Sequence, residues 1–141
     1  MTEGRIMQAE WEHAAGEGDV EALERLLANG ADINARDTHG QTALMISARN
    51  GHDRAVALLV ERGADVNHTA KFHLSALMLA VLNNHAGIVS TLVMAGADRS
   101  IRGTGAPGFS GQTAMDLAEA AGRHEVVDLL RAADQPPGGE S

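Results

Sequence analysis

Along this chain the apolar residues recur with the period of helices. In "DRAVALLVERG", residues 53–63, Val56, Leu59 and Val60 stand three and four residues apart, the spacing that gathers side chains on one helical face. "AGIVSTLVMAG" (86–96) and "RHEVVDLLRAAD" (123–134) carry aliphatic residues at the same spacing. Each is predicted to be a helix with one apolar face. A shorter apolar run precedes each of them and begins after a hydroxyl residue, Thr42, Ser75 or Thr113. A hydroxyl there accepts the unpaired N–H groups of a first helical turn. Gly51 and Gly122 mark the turns between first and second helices, and Gly30, Gly63 and Gly96 follow the second helices at the position that releases the chain into a turn.

These pairs of helices repeat. "NGADIN" (29–34), "RGADVN" (62–67) and "AGADRS" (95–100) lie 33 residues apart, and so do "TALMIS" at Thr42 and "SALMLA" at Ser75. The third copy, "TAMDLA", starts at Thr113, 38 residues after Ser75, so five residues are inserted between Ser100 and Thr113. One such pair of short helices cannot bury its own apolar stripe, and stacking the copies supplies the missing core.

The segment "GQTALMISARNGHDRAVALLVERGADVN", 40–67, resembles an ankyrin repeat, with that family's T-P-L-H-x-A start, G-H turn and G-A-D-V-N end. The resemblance covers roughly residues 6–131. It implies an all-α solenoid of helix-turn-helix units joined by hairpin loops, about four units at 6–36, 37–69, 70–102 and 103–131, the first a capping unit. The last carries an enlarged finger loop at 101–112. Residues 1–5 are expected to be an extension, and the Pro- and Gly-rich 132–141 a disordered tail. The departures are local. The family's Pro is Ala43, Ala76 and Ala114, which forgoes a residue preset for the first helical position but keeps an excellent helix former. The family's His is Met45, Met78 and Asp116, so that residue's inter-turn hydrogen bonds are not carried over. In the third unit His73 and Asn84 replace the glycines seen at Gly40 and Gly51, which predicts an irregular hairpin.

Composition narrows the function. A net charge of -8 repels nucleic-acid phosphates. With no Cys there is no disulfide, thiol nucleophile or thiolate metal site, which fits a reducing compartment. The first residues, "MTEGRIMQAEWEH", are acidic where a signal peptide needs an apolar core, and no eighteen-residue apolar run occurs. The expected location is the cytoplasm. Ten of the eleven basic residues are Arg, which fits a GC-rich genome.

Several motifs bear on chemistry. "GTGAPG", Gly103 to Gly108, matches the phosphate-cradling G-x-G-x-x-G but lacks a strand before it and a helix directly after it, and reads better as an elongated, mobile hairpin finger. Among seven His, His52 and His85 occupy the G-H turn, where the family's imidazole is structural; His39, His68 and His73 sit on finger tips without a metal-binding pairing. Ser110 lies in G-F-S-G-Q and not in G-x-S-x-G. No catalytic, cofactor or metal residue is assigned, and no enzymatic activity is expected. Trp11 is in register with Leu44 and Leu77 and is expected in the core. Phe72 and Phe109 register on hairpin tips, where they either fold back on a neighbouring finger or contact a partner.

The resemblance implies protein binding across the finger tips and the exposed side of the first helices. Carried over by position, that face comprises Thr38, His39, Gln41, Arg49, Asn50, Lys71, Phe72, Leu74, Leu82, Asn83, Phe109, Ser110 and Gln112. Phe72, Leu74 and Leu82 are expected to form an apolar patch on it. The partner is another protein, without nucleic acid, membrane or cofactor, and the net acidity favours a basic one. The chain reads as a stand-alone adaptor, escort or inhibitor acting as a monomer. The alternatives are a ligand-binding protein or enzyme using the Gly103–Gly111 loop, and self-association through the fingers.

Overall fold

A computed structural model describes residues 8–133. Among the described residues eight α-helices alternate between two layers. The first helices, α1 (Ala9–Glu17), α3 (Ala43–Asn50), α5 (Ala76–Leu82) and α7 (Ala114–Ala120), stack in order; behind them stack α2 (Val20–Ala28), α4 (Asp53–Glu61), α6 (Ala86–Met94) and α8 (His124–Ala133). This is an all-α repeat solenoid. Helix α8 continues through Ala133, two residues into the stretch read as tail, and the remaining residues of that stretch, like the extension at 1–5, lie outside the described residues.

The first helices start where the hydroxyls predict. Thr42 Oγ1 accepts the Met45 N–H at 3.3 Å, Ser75 Oγ that of Met78 at 3.2 Å, and Thr113 Oγ1 that of Asp116 at 3.2 Å. Asp116 returns the bond, its Oδ2 accepting the Thr113 N–H at 3.0 Å, which closes a capping box. That bond from Thr113 holds the Asp116 carboxyl below the usual carboxylate range.

Columns of side chains at the repeat spacing build the core. Leu59, Leu92 and Leu130 form one, and Trp11, Leu44 and Leu77 another, all of them buried. Burying a leucine stabilises by about 1.5–3 kcal/mol, so the columns dominate the cohesion between units. The columns change character at both ends of the stack. Met45 and Met78 are buried, whereas Glu12 in α1 and Asp116 in α7, in register with them, are exposed and half-buried. Likewise Val81 is buried and Glu119 exposed. The two end faces are therefore polar, as terminal repeats must be to remain hydrated.

A second ladder is polar. His52 Nε2 lies 2.8 Å from the Gly16 carbonyl, His85 Nε2 lies 3.1 Å from that of Arg49, and Arg123 Nη2 donates to that of Leu82 at 3.1 Å. These carbonyls end α1, α3 and α5, where no intrahelical donor remains, and each is served by the following unit. The ladder also explains the glycines before it. A Cβ on Gly51, at φ +83°, would stand 2.6 Å from the His85 ring. Where Arg123 replaces the His, Asn84 adopts the same left-handed backbone at φ 59° with its side chain accommodated.

Candidate functional site

Three fingers project between the units. In the first, Asp37 Oδ1 accepts the N–H groups of His39 and Gln41, both at 2.8 Å, leaving Thr38 and His39 exposed at the tip. Gln41 is half-buried, its Oε1 accepting from Arg49 Nη1 at 3.0 Å. Asn50, exposed at the end of α3, donates to the Gly16 carbonyl at 3.2 Å.

The second finger is irregular, as the missing glycine predicts. Lys71–His73 form one 3-10 turn in which Phe72 (φ 62°) and His73 (φ 59°) both take the left-handed region. Such residues cost of order 1–2 kcal/mol each and need surrounding contacts to hold them. The third finger supplies those contacts. Thr104 N–H donates to the Phe72 carbonyl at 2.8 Å, His73 Nδ1 lies 2.9 Å from the Arg102 carbonyl, and the Phe72 and Phe109 rings meet at 5.8 Å between centroids, tilted by 43°. The first finger is tied to the second by His68 Nε2, 3.0 Å from the Gly40 carbonyl.

The inserted residues therefore fold into a compact turn. Gly103 N–H donates to the Gln112 carbonyl and Gly111 N–H to the Gly103 carbonyl, and the amides of Phe109 and Ser110 both donate to the Ala106 carbonyl. Gly103 has no room for a side chain, since a Cβ there would collide with the Phe109 carbonyl. In the G-x-G-x-x-G the amides of Gly103, Thr104 and Ala106 are spent on protein carbonyls, and the next helix begins only at Ala114. A phosphate would find those donors already engaged.

Two expectations are corrected. Leu74 is 8% exposed, its side chain belonging to the core, so it leaves the surface face. Phe72 and Phe109 are half-buried against each other and Leu82 is half-buried against the core, so Phe72, Leu74 and Leu82 do not form an open apolar patch. The aromatic tips have a folding reason: they offset the strained turn by joining two fingers. Asn83 and Ser110 are exposed, Gln112 half-buried and Lys71 exposed, its Nζ 5.1 Å from the Phe72 ring centroid. Among the described residues no group of three or more His, Asp or Glu is disposed to hold a metal ion, and no helix is long and apolar enough to cross a membrane.

The ladder to the carbonyls of Gly16, Arg49 and Leu82 was not assigned from sequence, though the repeat spacing of His52 and His85 pointed to it. Of the inter-finger clasp, folding back of Phe72 and Phe109 on a neighbouring finger was one of two open readings, while nothing local pointed to the bonds of Thr104 and His73, because Phe72 and Thr104 are 32 residues apart.

The family model "Ankyrin repeats (3 copies)" matches residues 11–103. The chain belongs to the ankyrin repeat family. It is 41% identical over 51 residues to an ankyrin repeat protein of Rickettsia felis, covering 36% of this chain and 77% of that one. A second ankyrin repeat protein of that organism is 49% identical over 39 residues, 28% of this chain and 62% of the relative. Similarity also reaches an E3 ubiquitin-protein ligase of Arabidopsis thaliana, 54% identical over 39 residues, but only 8% of that protein is spanned. Ankyrin repeats are generally protein-protein interaction modules and generally not enzymes.

Proposed function

We propose that this ankyrin repeat protein is an adaptor, escort or inhibitor of one partner protein in the cytoplasm. It holds the partner on the face made by Thr38, His39, Gln41, Lys71, Phe72, Phe109, Ser110 and Gln112 on the fingers with Arg49, Asn50, Leu82 and Asn83 on the first helices. The observation that carries this reading is the linkage of all three fingers through His68, His73, Thr104 and the Phe72–Phe109 pair. Fingers fixed before association lose little entropy when a partner arrives. A face of this many side chains suits an interface of about 800 Å² per partner.

The test is affinity capture from the native organism's lysate, read by mass spectrometry, with three baits. Wild type and an Arg54→Glu variant, altered on the exposed side of α4, should enrich the same protein. A Thr38→Arg/Asn83→Arg variant, altered at two exposed positions of the proposed face, should lose it. Equal recovery by all three baits refutes the face. The phenylalanines are poor test positions, because truncating them also opens the clasp.

A further inference from the structure

We infer that the partner presents an acidic segment whose carboxylates are received by Arg49 and Lys71, an inference that rests on the finger face being the binding face. The net charge of -8 suggests the opposite, but that charge is unevenly placed. Among the described residues the ion pairs Arg25–Glu10, Arg62–Glu24, Arg131–Glu119 and Arg102–Asp116 join arginines to carboxylates of the outer layer, the end faces or the base of the third finger. Neither Arg49 nor Lys71 lies within ion-pair distance of any described carboxylate.

Arg49 is the more telling of the two. It is half-buried, and hydrogen bonds hold its guanidinium in place. Its Nη1 donates to Gln41 Oε1 at 3.0 Å and its Nε reaches Asn50 Oδ1 at 3.5 Å. Both acceptors are neutral amides, which orient the planar group without neutralising it. Those bonds use two of about five N–H donors of a guanidinium, and the rest suit the two oxygens of a carboxylate. Lys71 stands on the neighbouring finger, joined to the first through His68. It is the chain's single lysine, exposed, with its ammonium held over the Phe72 ring in place of a counter-ion. The acidic groups nearest this face in sequence register are few. Glu17 aligns with Asn50, and Asp37 spends its Oδ1 on two amides of its own finger. Two oriented cations, Arg49 on α3 bonded to Gln41 of the first finger and Lys71 on the second finger, neither paired with a described carboxylate, are complementary to an acidic peptide segment crossing both.

The test is a selection of random peptides displayed on phage against the full chain, followed by anisotropy titration of the selected peptides carrying a fluorophore. Selected peptides should be rich in Asp and Glu, and their affinity should fall with added salt. Arg49→Gln and Lys71→Gln should each weaken binding about tenfold, the loss of one charged hydrogen-bonded contact. Arg54→Gln on the back should leave it unchanged. Lys71 is exposed, so its variant reports on binding even if Arg49→Gln perturbs the fold. Basic or apolar peptides that lose binding on Asn83→Arg overturn the acidic inference while sustaining the face. Peptides indifferent to Asn83→Arg, Arg49→Gln and Lys71→Gln overturn both. Failure to select any peptide also overturns the inference. So does a concentration-dependent dimer in sedimentation that both Gln variants abolish, since the acidic occupant is then an end face of a second copy.

Discussion

Replacing Gly51 with alanine separates two costs that the repeat imposes on one residue. The first is backbone: φ is +83°, and a residue with a Cβ in the left-handed region loses roughly 1–2 kcal/mol. The second is steric. The new Cβ would stand 2.6 Å from His85 Cε1, and the ring cannot simply rotate away because its Nε2 serves the Arg49 carbonyl at 3.1 Å. Displacing it leaves that carbonyl, at the end of α3, without its partner, a further cost of about 1 kcal/mol. The total is about 2–3 kcal/mol, which lowers Tm by roughly 10 °C in a chain of this size. Gly63 is the internal standard, at φ +90° with nothing within 4 Å of a built Cβ, so Gly63→Ala carries the backbone cost alone. Urea unfolding of Gly51→Ala, Gly63→Ala, His85→Ala and the Gly51→Ala/His85→Ala double variant makes the comparison. The double variant should be less destabilised than the sum of its singles by about 1 kcal/mol, because the alanine at 51 no longer has a ring to displace. Equal losses at 51 and 63, or strict additivity of the pair, refutes the steric argument.

Phe109→Ala should cost about 1–2 kcal/mol from the ring pair and its packing, and it should speed hydrogen exchange at the Thr104 amide, which is bonded across the fingers to Phe72. Unchanged Thr104 exchange shows that the rings do not hold the clasp. Ser47→Ala removes a buried hydroxyl that donates to the Ala15 carbonyl at 3.1 Å and should cost about 1 kcal/mol in urea unfolding. A neutral result shows that the carbonyl's other bond, from Gly18, suffices. Because the Asp116 carboxyl titrates below its usual range when folded, chiefly through the Thr113 N–H, its contribution is present at neutral pH. That contribution is lost as pH falls through the lowered folded value, below the ordinary carboxylate pKa of about 4. Asp116→Asn should therefore flatten the acid limb of the stability profile, and an unaltered limb excludes that role for the capping box.

Much of the fold was legible because its determinants are local and repeated. The caps at Thr42, Ser75 and Thr113 depend on a hydroxyl and an amide three residues on, and the spacing of Val56, Leu59 and Val60 defines a face within a few turns. The irregular hairpin was legible for the same reason, since a non-glycine residue at 73 must either strain or rearrange the turn. Trp11 was placed in the core by register alone.

The binding face was legible only as a list of positions. Leu74 illustrates the gap: its finger position suggests exposure, yet closure of the hairpin between Thr69 and Ser75 accompanies its burial in the core. Phe72 and Phe109 were readable as aromatic tips, but which of two surfaces they met depended on the course of five inserted residues. Sequence by itself determined the helices, their period, the stacking and hence the family, because helical propensity, capping and amphipathic spacing act over a few residues and repeat in register. Only the tertiary structure decided which finger leans on which, which carbonyl each histidine serves, and which cations have no carboxylate beside them. Those depend on distances between units, and residues some thirty positions apart in the chain become neighbours only when the solenoid is stacked.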